Sequence, residues 1–424
     1  MPTMPTRCNV NNFLIIWISI GIFVQLSSLM WLESGSGQAA QTNLWLMLPT
    51  ILYLVFNISN YRSIFYNKQE ILITIFIIWF SLTSLWSTSH KTSVVTDYVR
   101  NALYVFVYLA AIVITTSYKN GSHMKKALDT AIVVISIAAI ITLYFNFEKY
   151  GFSWKYRSFR LESMLYGEYG QFSTSIQAGL FYGAFTVLSF SRMISIKGNS
   201  KYIFLVAFLL CLAATYYTGT RLALLGVIIG SVVFLIASSP KLIRPISLFT
   251  ALGIALFIWE ATDLSASTIS LEATDQILAS ITSNRWFIWE NALSAVLATS
   301  PLVGFGADAE MSIFNPIINF TAHHPHSGFV LIIYESGLIG VSLYLLAMSL
   351  LIIKFFSTPK TPLLLAGLAL LSFNFVGMAS DVHIIVYRPH AYYVFLWLPV
   401  GLLLASIRQQ NIKESLEEEQ SLHV

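Results

Sequence analysis

Residues 283–290 read Ser283-Asn284-Arg285-Trp286-Phe287-Ile288-Trp289-Glu290, and three more polar or turn-rich islands follow them. These are Pro301-Leu302-Val303-Gly304-Phe305-Gly306, Ala322-His323-His324-Pro325-His326-Ser327-Gly328 and Tyr334-Glu335-Ser336-Gly337-Leu338-Ile339-Gly340. All four lie within residues 260–340, and the flanking runs at 246–259 and 329–353 are apolar. The stretch reads as one long loop outside a membrane that leads into a spanning helix. Outward from it the chain is mostly hydrocarbon: 56% of its 424 residues are hydrophobic and 10% charged. A soluble chain is about a quarter charged. A bilayer core about 30 Å thick needs ~20 apolar residues per helix, because each span must satisfy its own backbone groups. Repeated runs of that length predict an all-α polytopic integral membrane protein, a single membrane domain over residues 1–424.

The apolar runs fall at 13–32, 44–58, 71–86, 101–117, 127–146, 171–191, 202–218, 221–238, 246–259, 329–353, 361–379 and 391–407, which predicts twelve spans. The long run from 202 to 238 is divided at Tyr217-Thr218-Gly219-Thr220-Arg221, whose turn residues predict a tight helical hairpin. Residues 13–32 are too long and uniformly apolar for a cleaved signal peptide and are read as the first span. Cys8 and Cys211 sit in the N-terminal tail and in a span, without metal-ligand spacing, and no disulfide is expected. With the N-terminus inside, fifteen of the 24 Lys and Arg residues fall in inner segments. Both termini are therefore expected inside, with 408–424 a charged, solvated or frayed cytoplasmic tail.

Nine positive residues remain outside: Lys91, Arg100, Lys149, Lys155, Arg157, Arg160, Arg221, Arg285 and Arg388. Lys91 and Arg100 read as ordinary interfacial cations or partners of outer acids. Around Arg157 and Arg160, in the loop 147–170, basic and aromatic residues alternate. That composition suits an anionic headgroup or a sugar stacked on rings, and equally a plain interfacial belt. In the loop 260–328, Trp286, Trp289, Leu293, Val296 and Leu297 recur at helical spacing after the candidate caps Ser283 and Asn284. The predicted helix stops near Thr299-Ser300-Pro301 and lies on the outer membrane surface. Arg285 falls in its first turn, where a cation is unfavourable unless an anion is bound there.

Arg221, Arg285 and the histidines 323, 324 and 326 carry the candidate chemistry. Guanidinium stays charged and forks onto phosphate oxygens, so converging arginines would hold a lipid-linked diphosphate and stabilise it as it leaves. A nearby imidazole would serve as general base on an acceptor hydroxyl. Together these are the parts of a glycosyl transfer from a polyprenyl diphosphate donor, which needs no nucleotide site. Each residue also has a plainer reading: Arg221 as a headgroup anchor, a loop histidine as structural. The His-His-Pro-His run lacks the acids and spacing of a closed metal site, so neither metal nor cofactor is expected.

Arg285 with Trp289 four residues on, Pro301 before Gly304-Phe305-Gly306, His324-Pro325-His326-Ser327 and Glu335-Ser336-Gly337-Leu338-Ile339-Gly340 resemble the signature of the O-antigen ligase family. That superfamily also holds the Wzy-type O-antigen polymerases. The tip Thr218-Gly219-Thr220-Arg221 and the long outer loop before the last three spans are similar as well. The resemblance implies a GT-C-like fold and a metal-independent, inverting transfer on the periplasmic face of the bacterial inner membrane. The donor would be undecaprenyl-diphosphate-linked O-antigen and the acceptor a lipid A-core sugar, with membrane lipids as surroundings and no nucleic acid. It assigns the diphosphate to Arg221 and Arg285 and the acceptor to His326, and an outer acid of the family corresponds to Asp381; Arg157, Arg160, His324, Trp289 and Arg388 join these as candidate substrate contacts. The family usually has Asn where this chain has Ser327, which leaves His324 beside His326 as a candidate for the working residue. A polymerase would use the same donor class. A transporter is disfavoured because the spans are almost free of charge, Glu335 being the main exception.

Overall fold

A computed structural model describes residues 7–32, 35–57, 67–161, 172, 174–239, 285–315 and 319–422. Its elements are α1 (Arg7–Ser27), α2 (Gly35–Thr42) continued through a π-turn into α3 (Leu48–Phe56), α4 (Lys68–Leu82), α5 (Val94–Ser117), α6 (Ser122–Tyr150), α7 (Ser175–Ser195), α8 (Lys201–Tyr217) and α9 (Arg221–Ser238). After these come α10 (Arg285–Thr299), the strands β1 (Ile313–Asn315) and β2 (Phe320–Ala322), α11 (Gly328–Ser357), α12 (Pro362–Ser380) and α13 (Trp397–Leu422).

The protein is an all-α polytopic membrane protein. Among the described residues, eight helical segments are long and apolar enough to cross a membrane. One of them, Val94–Tyr150, is α5 and α6 joined at Lys119 and Asn120, whose φ values of +45° and +54° reverse the chain. The run at 202–238 divides where expected, with Gly219 at φ +65° in the turn between α8 and α9. The predicted ninth span at 246–259 and the candidate caps Ser283 and Asn284 lie outside the described residues.

The short turns make α5 and α6, α7 and α8, α8 and α9, and α11 and α12 antiparallel neighbours, so the loops sort to two ends. At one end Gln409 reaches Asn120, Asn411 reaches Asn67, and Arg408 faces Glu70. Lys68, Lys119, Lys125, Lys126 and Arg408 gather there, all of them residues assigned to the inner side from sequence. α13 packs on α5 and α12 and is buried from Trp397 to Arg408. The helix continues to Leu422. Its run of Lys, Gln, Leu and Glu consists of good helix formers.

At the opposite end, α11 is interrupted at Gly337 (φ +66°, ψ −168°), and the gap is filled by the turn 301–306. Phe305 N–H donates to the Tyr334 carbonyl at 2.8 Å and Gly306 N–H to the Glu335 carbonyl at 3.0 Å. Leu338 and Ile339 N–H donate to the Pro301 and Leu302 carbonyls at 2.9 and 3.2 Å, and the Trp79 indole donates to the Ser336 carbonyl at 3.1 Å. Every backbone group freed by the kink that these bonds reach is thus satisfied, as helix interruption inside a membrane protein requires. A Cβ on Gly304 would lie 2.6 Å from the Glu335 carbonyl carbon, and Gly304 has φ +69°. Two of the four sequence islands therefore exist to meet each other.

The helix α10 forms where the indole spacing predicted it. Ile288, Ala292 and Val296 are the buried stripe, packed with Met311, Ala322, Val330 and Tyr334. Trp289 and Leu293 flank that stripe, whereas Trp286 and Leu297 are exposed. The helix therefore rests on the protein through its smaller residues and turns two large ones outward. The hairpin β1–β2, with Ile313 opposite Ala322 and Asn315 opposite Phe320, was not anticipated. Strands of three residues carry too few positions for an alternating pattern to be read.

Candidate functional site

The site lies at the end of the bundle away from the cationic turns, and two groups of side chains build it. The first surrounds the α8–α9 tip. Leu161 N–H donates to the Tyr217 carbonyl at 2.9 Å, laying residues 157–161 along the tip. Arg157 Nε then donates to the Gly219 carbonyl at 2.9 Å and Arg160 Nε to the Thr218 carbonyl at 3.3 Å. Phe159 stacks on Tyr217 with ring centroids 5.2 Å apart. Gly219 cannot carry a side chain here, because a Cβ would lie 2.9 Å from Arg157 Cγ. Arg221, the first residue of α9, completes the group. Tyr156 feels all three guanidiniums: burial raises its phenol, and Arg157, Arg221 and Arg160 oppose the rise.

The second group joins α10, the loop 323–327 and the loop after α12. Arg285 Nη1 donates to Asp381 Oδ1 at 2.6 Å. Burial raises the Asp381 carboxyl, and the charges of Arg285 and then Arg160 oppose that shift. Arg160 thus adds to the field at Asp381, which is ion-paired with Arg285. The carboxylate also resolves the unfavourable placing of a cation in the first turn of α10.

Trp289 Nε1 donates to the Pro325 carbonyl at 2.8 Å, and Ser327 Oγ accepts from Val330 N–H as the N-cap of α11 while donating to the Met378 carbonyl. Between these two anchors His326 adopts φ +54°. The left-handed region costs a non-glycine residue about 1–2 kcal/mol, and histidine enters it more readily than most. The His324 ring lies 3.9 Å from that of His326 and stacks on that of His383 at 4.4 Å, centroid to centroid. Tyr392 Oη is 3.3 Å from His383 Nδ1. Burial, then His383, then Arg285 push the His324 imidazole down to about 4. Burial, then His324, then Arg285 push His326 down to about 3. Both rings are neutral at neutral pH. Among the described residues no three His, Cys, Asp or Glu side chains are disposed to share a metal ion.

The structure therefore brings together Arg285, Trp289, His324, His326 and Asp381, and separately Arg157, Arg160 and Arg221, with Arg160 reaching across electrostatically. Arg388 stands apart: it is exposed, its guanidinium 5.6 Å from the Tyr387 ring. His390 borders the cluster: Gln177 Nε2 lies 3.1 Å from its Nε2, and Tyr392 packs against both its ring and that of His383. His383 is the member that pattern reading undervalued, since nothing in the sequence signals that it stacks on His324. Lys91 and Arg100 pair with Asp308 and Asp97, at 2.6 and 2.7 Å.

Residues 206–345 match the O-antigen ligase family (Wzy_C). Over 413 residues the sequence is also 23% identical to an O-antigen ligase of Pseudomonas aeruginosa, covering 96% of this chain and 95% of that one. The chain is related to the O-antigen ligases. The family match spans Arg221, Arg285, Trp289, His324 and His326 together with both segments that form the kink in α11. Arg157, Arg160, Asp381 and Arg388 lie outside it. The described helices make the chain a multi-pass membrane protein.

Proposed function

We propose that this O-antigen ligase relative transfers a glycan from undecaprenyl diphosphate to a lipid A-core sugar, with inversion and without a metal. Both termini would be cytoplasmic and the site periplasmic, in keeping with the cationic turns at the opposite end. The observation that carries the reading is the buried Arg285–Asp381 ion pair, with His324 and His326 beside Arg285.

In this reading Arg221 and Arg285, supported by Arg157 and Arg160, hold the diphosphate oxygens and receive the negative charge that grows as it leaves. The acceptor hydroxyl oxygen attacks the anomeric carbon from the face opposite the diphosphate. A carbon–oxygen bond forms, the bond to the phosphate oxygen breaks, and the diphosphate departs with the electron pair. The hydroxyl proton passes to His326. An imidazole held near 3 is a weak base, and part of that depression comes from Arg285. A bound diphosphate would neutralise Arg285 and raise the imidazole, so base strength would follow donor occupancy.

The test is transfer by purified protein from undecaprenyl-diphosphate glycan to rough lipopolysaccharide in EDTA. Glycan on lipid A-core is the expected product. Longer glycan that stays on undecaprenyl diphosphate would make the protein a polymerase, and no transfer to either acceptor, with an intact donor, would overturn glycosyl transfer.

A further inference from the structure

The cationic end of the bundle holds a cavity of about 390 Å³ between the start of α6, the start of α12 and the stretch of α13 around Ser406. Asn120, Lys125, Leu363, Ser406, Gln409 and Gln410 are among its walls, and no acidic side chain lines it among the described residues. Two buried hydrogen-bond donors belong to that wall. The first is a backbone group. A helix opens with four N–H groups that its own carbonyls do not reach. In α12 these positions are Thr361, which is exposed; Pro362, which has no N–H; Leu363; and Leu364, whose N–H donates to the Thr361 hydroxyl at 3.2 Å. Leu363 N–H is left over, on a residue only 4% exposed. The second is the Ser406 hydroxyl, on a residue 6% exposed, which makes no hydrogen bond among the described residues. Lys125 adds a charge. Its Nζ donates to the Asn120 carbonyl at 3.2 Å, which leaves further ammonium protons for another acceptor. Lys360, also near, is engaged by the Phe355 and Thr358 carbonyls at the end of α11.

Buried donors in a native fold find acceptors, and here the acceptor has to come from the cavity. The groups that await it are donors, and the one charge on the wall is positive. We propose that this cavity binds a phosphate ester, whose oxygens take Leu363 N–H, the Ser406 hydroxyl and the Lys125 ammonium. A helix N-terminus favours such an anion through its free N–H and its dipole. The volume is that of an organic ligand site rather than of a bare ion, and the amides of Asn120, Gln409 and Gln410 suit the hydroxyls of a glycerol or sugar substituent. The ester is either the headgroup of an anionic phospholipid in the adjoining leaflet or a soluble phosphate compound. Basic pockets between spans on the cytoplasmic side recur as headgroup sites. The assignment does not depend on the transfer reading, because the cavity lies at the opposite end of the spans from the histidine cluster.

The test is native mass spectrometry and thermal midpoints of the delipidated full-length protein with phosphatidylglycerol, phosphatidylcholine or glycerol 3-phosphate. One phosphatidylglycerol is expected to bind saturably and raise the midpoint, with phosphatidylcholine at least about tenfold weaker. Ser406→Val and Lys125→Gln should each weaken that binding about tenfold. Lys126→Gln, an exposed neighbour outside the cavity wall, should leave it unchanged. Protection by glycerol 3-phosphate, in competition with the lipid, would assign the site to a soluble ester; protection by the lipid alone would assign it to a headgroup. Should Ser406→Val not fold, Lys125→Gln, at the mouth of the cavity, carries the test. No saturable binding of either compound, equal binding of phosphatidylcholine, or binding indifferent to Lys125→Gln would overturn the proposal and leave the two donors to water.

Discussion

Arg285 and Asp381, 96 positions apart in sequence, form an ion pair of 2.6 Å whose side chains are 14 and 4% exposed. The pair fixes the start of α10 to the end of α12 and holds the guanidinium beside His324 and His326. Removing one member of a buried pair leaves the other uncompensated and typically costs about 3–5 kcal/mol, whereas replacing both by apolar residues is often neutral. Asp381→Ala is therefore expected to lower the thermal midpoint in detergent and to abolish transfer. Arg285→Met combined with Asp381→Leu should recover most of the midpoint and none of the transfer. Recovery of transfer in the double variant would reduce Arg285 to a structural strut.

His326→Ala and Arg221→Ala are expected to insert normally and to lose at least about a hundredfold in kcat, the scale of a lost general base or anion clamp. Arg221→Lys should recover little, because an ammonium lacks the fork that engages two phosphate oxygens. The check is single-turnover transfer at saturating donor and acceptor. A lost KM with an unchanged kcat would assign Arg221 to ground-state binding only.

His324, His326, His383 and His390 all have imidazoles depressed below 6.5, the first two to about 4 and about 3. The folded protein keeps these rings neutral, while the unfolded chain takes up protons as the pH falls through 6.5. Between about 6.5 and the depressed values the unfolded state binds more protons, so stability falls with falling pH across that window and is flat above it. Thermal midpoints from pH 8 to pH 4.5 check this. His326→Gln should flatten the slope, and an unchanged slope would mean that other groups set it.

Ser327 stands where the related family usually has Asn, and its structural work is plain: it caps α11 and binds the Met378 carbonyl. Asn and Ser are near-equivalent N-caps, and losing a cap costs about 1 kcal/mol. Ser327→Asn should retain wild-type stability and transfer. Ser327→Ala should lose about 1 kcal/mol and loosen the neighbouring His326, which a drop in kcat larger than in Ser327→Asn would register.

The spans and the polar islands were legible because hydrophobic length and turn residues are local properties. The division at Tyr217–Arg221, the stop of α10 at Thr299 and the pairing of Arg100 with Asp97 three residues before it all belong to that class. What was not legible depends on distant partners. Nothing near Arg285 announces Asp381, and nothing near His324 announces the ring of His383. The packed face of α10 was not legible for the same reason: Trp286 and Leu297 carry the larger hydrophobic signal, yet the buried stripe is Ile288, Ala292 and Val296. Glu335 through Gly340 stood out as a motif, and its backbone is a docking strip for the turn 301–306.

That strip sets a sharp expectation for glycine. Gly337 combines φ +66° with ψ −168°, a region open essentially to glycine alone, and a Cβ there would sit 2.2 Å from the Leu302 carbonyl oxygen. Backbone strain and the clash act together, so Gly337→Ala should cost at least about 3 kcal/mol and reduce insertion. Gly198 also has a positive φ, +84°, but a Cβ added to it meets nothing within 4 Å. Gly198→Ala should cost only about 1–2 kcal/mol, the conformational part alone. Midpoints of the two variants in the same detergent separate the contributions. Equal losses would mean that the four backbone bonds between residues 301–306 and 334–339 can shift to accommodate a methyl group, and that the kink in α11 is not fixed by them.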